Sequence, residues 1–319
     1  MRIFAAILLL ALVAALHLLS PFGSLTATQA IDPALATTLL VELRLPRTLL
    51  ALGYGVTLGI CGAALQALFA NPLASPDITG SSSGAALGAV FASYWLGLTN
   101  PILLATAGAL GAGLALVLLL VLAGRHTDKV ALLLAGLAVS LAAGAATSLL
   151  LALAPSPFAF YDSFEWLMGS FTDRSLVQAA AALVPAAIAC TLLLRRARAL
   201  DLMAMGDDVL ASLGHRPRRL GIEIICFSAI AVGACVSVCG AIGFVGLIAP
   251  VLARRATRGH PGRALLPAGM IGGLLVLLAD LSLRSMPFDQ AIPVGVVTTL
   301  IGTPVFIMVL LSMRGRMAS

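Results

Sequence analysis

Apolar stretches as long as a membrane crossing follow one another along this chain, with only short polar breaks between them. About 20 helical residues cross the roughly 30 Å of hydrocarbon in a bilayer. Stretches of that kind occupy 4–22, 46–69, 80–98, 101–123, 129–153, 173–194, 219–239, 242–258, 264–283 and 293–312. Leu, Ala, Val and Gly dominate them, and none alternates with the period of two that a β-barrel strand needs. The composition agrees where it bears on the question. Only 10% of the 319 residues are charged, against about 25% in a soluble domain. With 61% hydrophobic residues the chain is also too apolar to stay expanded as a disordered one. The expectation is an all-α, polytopic membrane protein of about ten transmembrane helices, a single domain over residues 1–319.

The stretch 219–258 tests that count. Ile224 to Ala253 is one uncharged run, about 45 Å long as a helix, between one crossing and two. Basic clusters flank it: Arg216, Arg218 and Arg219 before, Arg254, Arg255 and Arg258 after. Positive charge concentrates on the cytoplasmic side, so both flanks belong inside and the number of crossings is even. A tight reversal near Gly240 and Gly243 supplies the second one. With both termini cytoplasmic, fifteen of the 19 Lys and Arg fall inside, and Arg44, Arg47, Arg174 and Arg284 fall outside. The net charge of +6 is therefore a topology signal. It is too scattered for nucleic acid.

Three polar segments are candidates for work. The external loop 23–45 is long enough for a short helix and leads into Arg44-Leu45-Pro46-Arg47, whose arginines share a face if the start is helical. The cytoplasmic loop 195–218 mixes charges with Leu200, Leu202, Met203 and Met205 and is broken by Gly206 and Gly214. Asp207 and Asp208 suit a helix N-terminus there. A merely solvated loop has no need of those apolar residues, so it reads as a docking surface for a cytoplasmic subunit, with interfacial lipid contact as the plainer reading. Gln66 lies inside an apolar stretch and needs a partner, either a water-filled path or a neighbouring carbonyl. After it come Asn71, Pro72 and Pro76, which end the helix.

Energy and catalysis are missing from the chain itself. No Walker motif is present, and no Ser-His-Asp or metal-ligand set. Glu223 and Asp280 sit near the ends of their stretches, and no acidic or basic residue marks a midplane ion path. Cys61, Cys190, Cys226, Cys235 and Cys239 all fall in apolar stretches, where free cysteine packs as a small hydrophobe. The chain reads as a non-enzyme that is driven by a separate subunit docking at 195–218.

The quoted segments resemble the FecCD/BtuC-like permease family, the membrane subunits of importers for iron–siderophore complexes, haem and cobalamin. The resemblance runs from about residue 40 to 311. It is carried by Arg44-Leu45-Pro46-Arg47 with Gln66 and Asn71-Pro72-Leu73-Ala74, and by Met205-Gly206-Asp207-Asp208 with Ser212-Leu213-Gly214. It is carried further by Gly243-Phe244-Val245-Gly246-Leu247-Ile248-Ala249-Pro250, and by Pro293-Val294-Gly295 leading to Thr303-Pro304. Val251 stands where the family usually has His. The resemblance implies a BtuC-like type II ABC importer permease of ten helices in the bacterial plasma (inner) membrane. It implies a second permease subunit, identical or related, and an extracytoplasmic substrate-binding protein. Two ATPase subunits would bind ATP-Mg, so this chain itself needs no cofactor or metal. Arg44, Arg47 and Arg284 would receive the binding protein. Leu202, Met205, Gly206, Asp207, Asp208, Ser212, Leu213 and Gly214 would seat the ATPase. Gln66, Asn71, Pro72, Gly243, Phe244, Gly246, Pro250, Pro293 and Gly295 would serve translocation or packing. An ion-coupled secondary transporter and a non-transport membrane scaffold are the alternatives.

Overall fold

A computed structural model describes residues 2–21, 32–124, 129–285 and 292–317, all helix and connecting turn among the described residues. The helices are α1 (Arg2–Leu19), α2 (Pro33–Thr38), α3 (Leu45–Leu68), α4 (Ser81–Trp95), α5 (Pro101–Ala123), α6 (Lys129–Ala152) and α7 (Pro157–Leu167). After these come α8 (Leu176–Arg195), α9 (Ala197–Met203), α10 (Asp207–Ser212), α11 (Pro217–Cys239), α12 (Val245–Ala256), α13 (Pro261–Ser285) and α14 (Val294–Met317). Each of the ten apolar stretches holds one of them.

Among the described residues six helical runs are long and apolar enough to cross a membrane: Pro33–Leu68, Pro101–Ala123, Lys129–Ala152, Leu176–Arg195, Pro217–Cys239 and Pro261–Ser285. α1 and α14 add the shorter apolar segments Phe4–Leu19 and Val294–Met308. α12 is shorter than its stretch suggests. It has 12 residues, about 18 Å, because residues 240–244 are unwound. The chain reverses at Gly240, whose φ is +73°.

α3 is the central post. It is buried on nearly every side, as expected of a helix that is apolar all round. α2 runs into it through a π-helical turn, Leu39–Arg44. The widened turn comes just before Pro46, which brings no N–H to the helical ladder. α13 lies antiparallel along α3, with Gly55 facing Gly272 and Gly59 facing Ala268. Small residues let the two backbones touch, the usual basis of helix association in a bilayer. This pairing sorts the molecule into two ends. Arg44, Arg47, Asp280 and Arg284 lie at one, the arginine end. Loop 195–218 and residues 254–263 lie at the other, the loop end.

Candidate functional site

Four groups of residues come together, one at each end and two between. At the arginine end, Asp280 is 1% exposed and accepts two hydrogen bonds from Arg47, from Nε and Nη2, both 2.8 Å. His17 of α1 joins them. Its Nε2 lies 2.8 Å from Asp280 Oδ2 and its Nδ1 2.8 Å from Thr48 Oγ1. The last turn of α1 has carbonyls with no partner inside the helix, and arginines fill the gap. Arg284 donates to the His17 carbonyl at 2.7 Å, and Arg44 to the Leu19 carbonyl at 2.9 Å and the Pro21 carbonyl at 3.4 Å. Cations at a helix C-terminus also suit its dipole. The three arginines expected to receive a binding protein thus share one cluster and hold α1 against α3 and α13. Arg44 is buried, and 21% of the Arg47 side chain is exposed. The His17 and Thr48 roles were not foreseen, because nothing in the sequence pairs positions 17 and 280.

Just inside the same end, three chain reversals interlock: the exit of α7, the link from α11 to α12, and the entry of α14. Ser170 N–H donates to the Cys239 carbonyl at 2.8 Å, and Gly295 N–H to the Gly169 carbonyl at 3.4 Å. A Cβ on Gly295 would lie 2.1 Å from the Met168 carbonyl oxygen, so only glycine fits there. Pro293 sets the chain entering this contact, and its carbonyl accepts from Val296 N–H at 3.1 Å. Beside it opens a cavity of about 660 Å³ lined by Met168, Ala241, Gly243, Gly295, Thr299 and Thr303, among others. The threonine hydroxyls bond carbonyls of their own helix, and among the described residues no charged side chain lines the space. Phe244 next door has φ +64°, a left-handed conformation that costs a non-glycine residue about 1–3 kcal/mol. Its ring packs on Gly302 and meets Phe306 edge-on at 6.4 Å.

Deeper in, α12 meets α3. Gln66 is fully buried, and its Nε2 donates to the Leu247 carbonyl at 3.1 Å. This is the carbonyl partner, one of the two possibilities the sequence left open. Asn71 N–H donates to the Gln66 carbonyl, and Asn71 Oδ1 accepts from Leu73 N–H at 2.9 Å, which turns the chain at Pro72 away from the helix. Pro250 inside α12 has no N–H for the Gly246 carbonyl, and that freed carbonyl is the one lying against Gly62. Gly246 also leaves room for Pro76. These motif residues therefore make one joint between α3 and α12.

At the loop end, α9 and α10 form two short helices parted by Gly206 with φ +113°. Ala199, Leu200, Met203 and Leu210 point inward and are buried. Residues 204–209 and 211–216 are exposed without a break, and Met205 is 68% and Leu213 57% exposed. Asp207 bonds Lys129 Nζ at 2.8 Å. Of the residues expected to seat an ATPase, Met205, Gly206, Asp207, Asp208, Ser212, Leu213 and Gly214 are on this surface. Leu202 packs back against the core. Among the described residues no group of His, Cys, Asp or Glu could hold a metal ion.

Known proteins share this architecture. The permease FecC of the Fe(3+) dicitrate transport system of Escherichia coli is 36% identical, over 90% of this chain and 88% of its own. The hemin transport permease HmuU of Yersinia pestis is 37% identical over 86% and 83%. The vitamin B12 import permease BtuC of Vibrio cholerae is 36% identical over 92% and 86%. A solved structure described as an inward-facing, metal-chelate type ABC transporter superposes with a TM-score of 0.86 at 31% identity, over 97% of this chain and 98% of that one. Residues 3–312 match the FecCD transport family. A multi-pass permease without a nucleotide site, built on that fold and matched over nearly its whole length, belongs to the FecCD transport family.

Proposed function

We propose that the chain forms half of the membrane path of a binding-protein-dependent ABC importer and carries a ferric chelate inward, haem and cobalamin being the other cargoes of its relatives. The exposed run 204–216, which follows α9 and covers α10 and is interrupted by the buried Leu210, carries this reading, with Met205 and Leu213 bare. A chain with no nucleotide motif and no midplane charge needs an outside engine, and this surface is where one fits. The loop end then faces the cytoplasm, together with both termini, and the arginine end faces the binding protein. The cavity lining supports passage over tight holding, since it is small, apolar and uncharged. Among the described residues α14 packs on α12 and α13, and its first turn also meets the exit of α7 through Gly295. Leu300 is 72% and Met308 61% exposed on it, which suits a second permease subunit closing the path.

The test is reconstitution in proteoliposomes with ATPase and binding protein, using ferric citrate, hemin and cobalamin as cargoes. Uptake is expected to require ATP. A Met205→Asp, Leu213→Asp double variant is expected to lose ATPase co-purification and to lower uptake at least about tenfold, the scale of two lost apolar anchors. Uptake driven by an ion gradient without the ATPase sinks the proposal.

A further inference from the structure

α13 reaches both ends of the molecule, and its two ends are held by side chains from other helices. At the arginine end Asp280 takes Arg47 of α3. At the loop end the first turn of α13 needs acceptors for its unpaired N–H groups. Pro261 has none to offer, since proline lacks the N–H. The next amide, Gly262 N–H, donates to Asp201 Oδ1 at 2.7 Å. Asp201 belongs to α9, so the cap comes from a different helix, and its carboxylate also suits the positive end of the helix dipole.

The fit depends on glycine. A Cβ on Gly262 would lie 1.9 Å from the Ala197 carbonyl oxygen and 2.9 Å from Asp201 Oδ2. α9 packs on the start of α13, and its Leu200 and Met203 are buried in the core. The helix that displays Met205 at its exit is thereby bonded to the first turn of α13. α13 in turn lies backbone to backbone on α3 and ends in the cluster of Asp280, Arg47 and Arg284.

We propose that Asp201 is a positioning residue for energy coupling, the cap through which displacement of α9 reaches α13 and, along it, the arginine cluster. This rests on the importer reading above. Without the carboxylate α9 still packs on α13, but no bond obliges the two to move together. The loss is therefore one of transmission, with both docking surfaces left standing.

The experiment uses the whole permease–ATPase complex with its binding protein in proteoliposomes. It measures cargo moved per ATP hydrolysed, with ferric citrate, hemin and cobalamin as probes. Asp201→Ala is expected to lower that ratio about tenfold, within the range of coupling between distant sites. Asp201→Asn keeps an acceptor oxygen without the charge and is expected to recover part of the loss. Gly262→Ala leaves Asp201 in place but drives its methyl into the Ala197 carbonyl, and it should uncouple in the same way. An unchanged ratio in Asp201→Ala overturns the proposal, as does loss of ATPase co-purification, which would make Asp201 part of the docking surface. Failure of the unaltered complex to take up any cargo on ATP is a separate result and counts against the importer reading instead.

Discussion

Asp280→Ala is expected to destabilise the permease by about 3–5 kcal/mol, the cost of removing one partner from a buried ion pair. The reason is the company Asp280 keeps. It is 1% exposed, receives two Arg47 N–H groups and touches His17. Without it, a guanidinium near the membrane interior loses its counter-charge, and the ring that ties α1 to α3 loses its anchor. Thermal melting of the detergent-solubilised protein, followed by size exclusion, reads the effect. Arg47→Leu combined with Asp280→Ala is expected to be more stable than Asp280→Ala alone, because the guanidinium that lost its carboxylate is then gone as well. Strict additivity of the two substitutions would mean that the pair has no energetic role. The same assay separates two tasks of the arginines. If Arg44 and Arg284 chiefly cap α1, alanine at either lowers the melting temperature. If they chiefly receive the binding protein, alanine weakens its affinity at an unchanged melting temperature.

What the sequence revealed, and what it hid, follows from the range of each signal. Apolar length is local, so all ten helix-bearing stretches and the reversal at Gly240 were visible. In 195–218 the apolar residues divide: Met205 is exposed, whereas Leu200 and Met203, read in the sequence as surface residues, pack into the chain's own core. α7 was not expected. Its 11 residues mix Phe158, Phe160 and Trp166 with Asp162 and Glu165, too polar for a crossing. Only Ser156 followed by Pro157, a helix cap and first-turn pair, marked its start. The short length of α12 was hidden for a related reason: residues 242–258 are apolar enough to cross, but backbone unwinding at 240–244 leaves no compositional trace. The joins between helices were hidden most completely. His17 and Asp280 are 263 positions apart, and Asp201 and Gly262 are 61 apart. A helix-length apolar pattern says that a segment is buried, and says nothing of which segment lies beside it. Arg47 was singled out for its unusual side of the membrane, but its carboxylate partner emerged only from the fold.

Gly62→Ala is expected to be the most damaging single-methyl change in the chain. The added Cβ would lie 1.8 Å from the Gly246 carbonyl oxygen and 3.0 Å from the Gly246 Cα. These are backbone atoms, so no side chain can swing aside. α12 cannot simply retreat either, because Pro76 presses on Gly246 from another side and Gln66 holds the Leu247 carbonyl. Overpacking of this kind costs about 1–3 kcal/mol, and moving α12 also breaks the Gln66 bond, which leaves a buried amide unpaired at about 1–3 kcal/mol more. Gly113→Ala is the matched control. Nothing lies within 4 Å of its would-be Cβ, and alanine is the better helix former by about 0.8–1 kcal/mol, so that variant should be neutral or slightly more stable. Pro250 makes the account sharper. Pro250→Ala restores the N–H that the Gly246 carbonyl lacks and draws that oxygen back toward the axis of α12. Added to Gly62→Ala, it is expected to recover part of the lost melting temperature, although alone it should bring little or no gain. If Gly62→Ala melts like Gly113→Ala, the close approach of α3 and α12 is not a determinant of stability. If Pro250→Ala gives no recovery, the freed carbonyl is not what Gly62 accommodates.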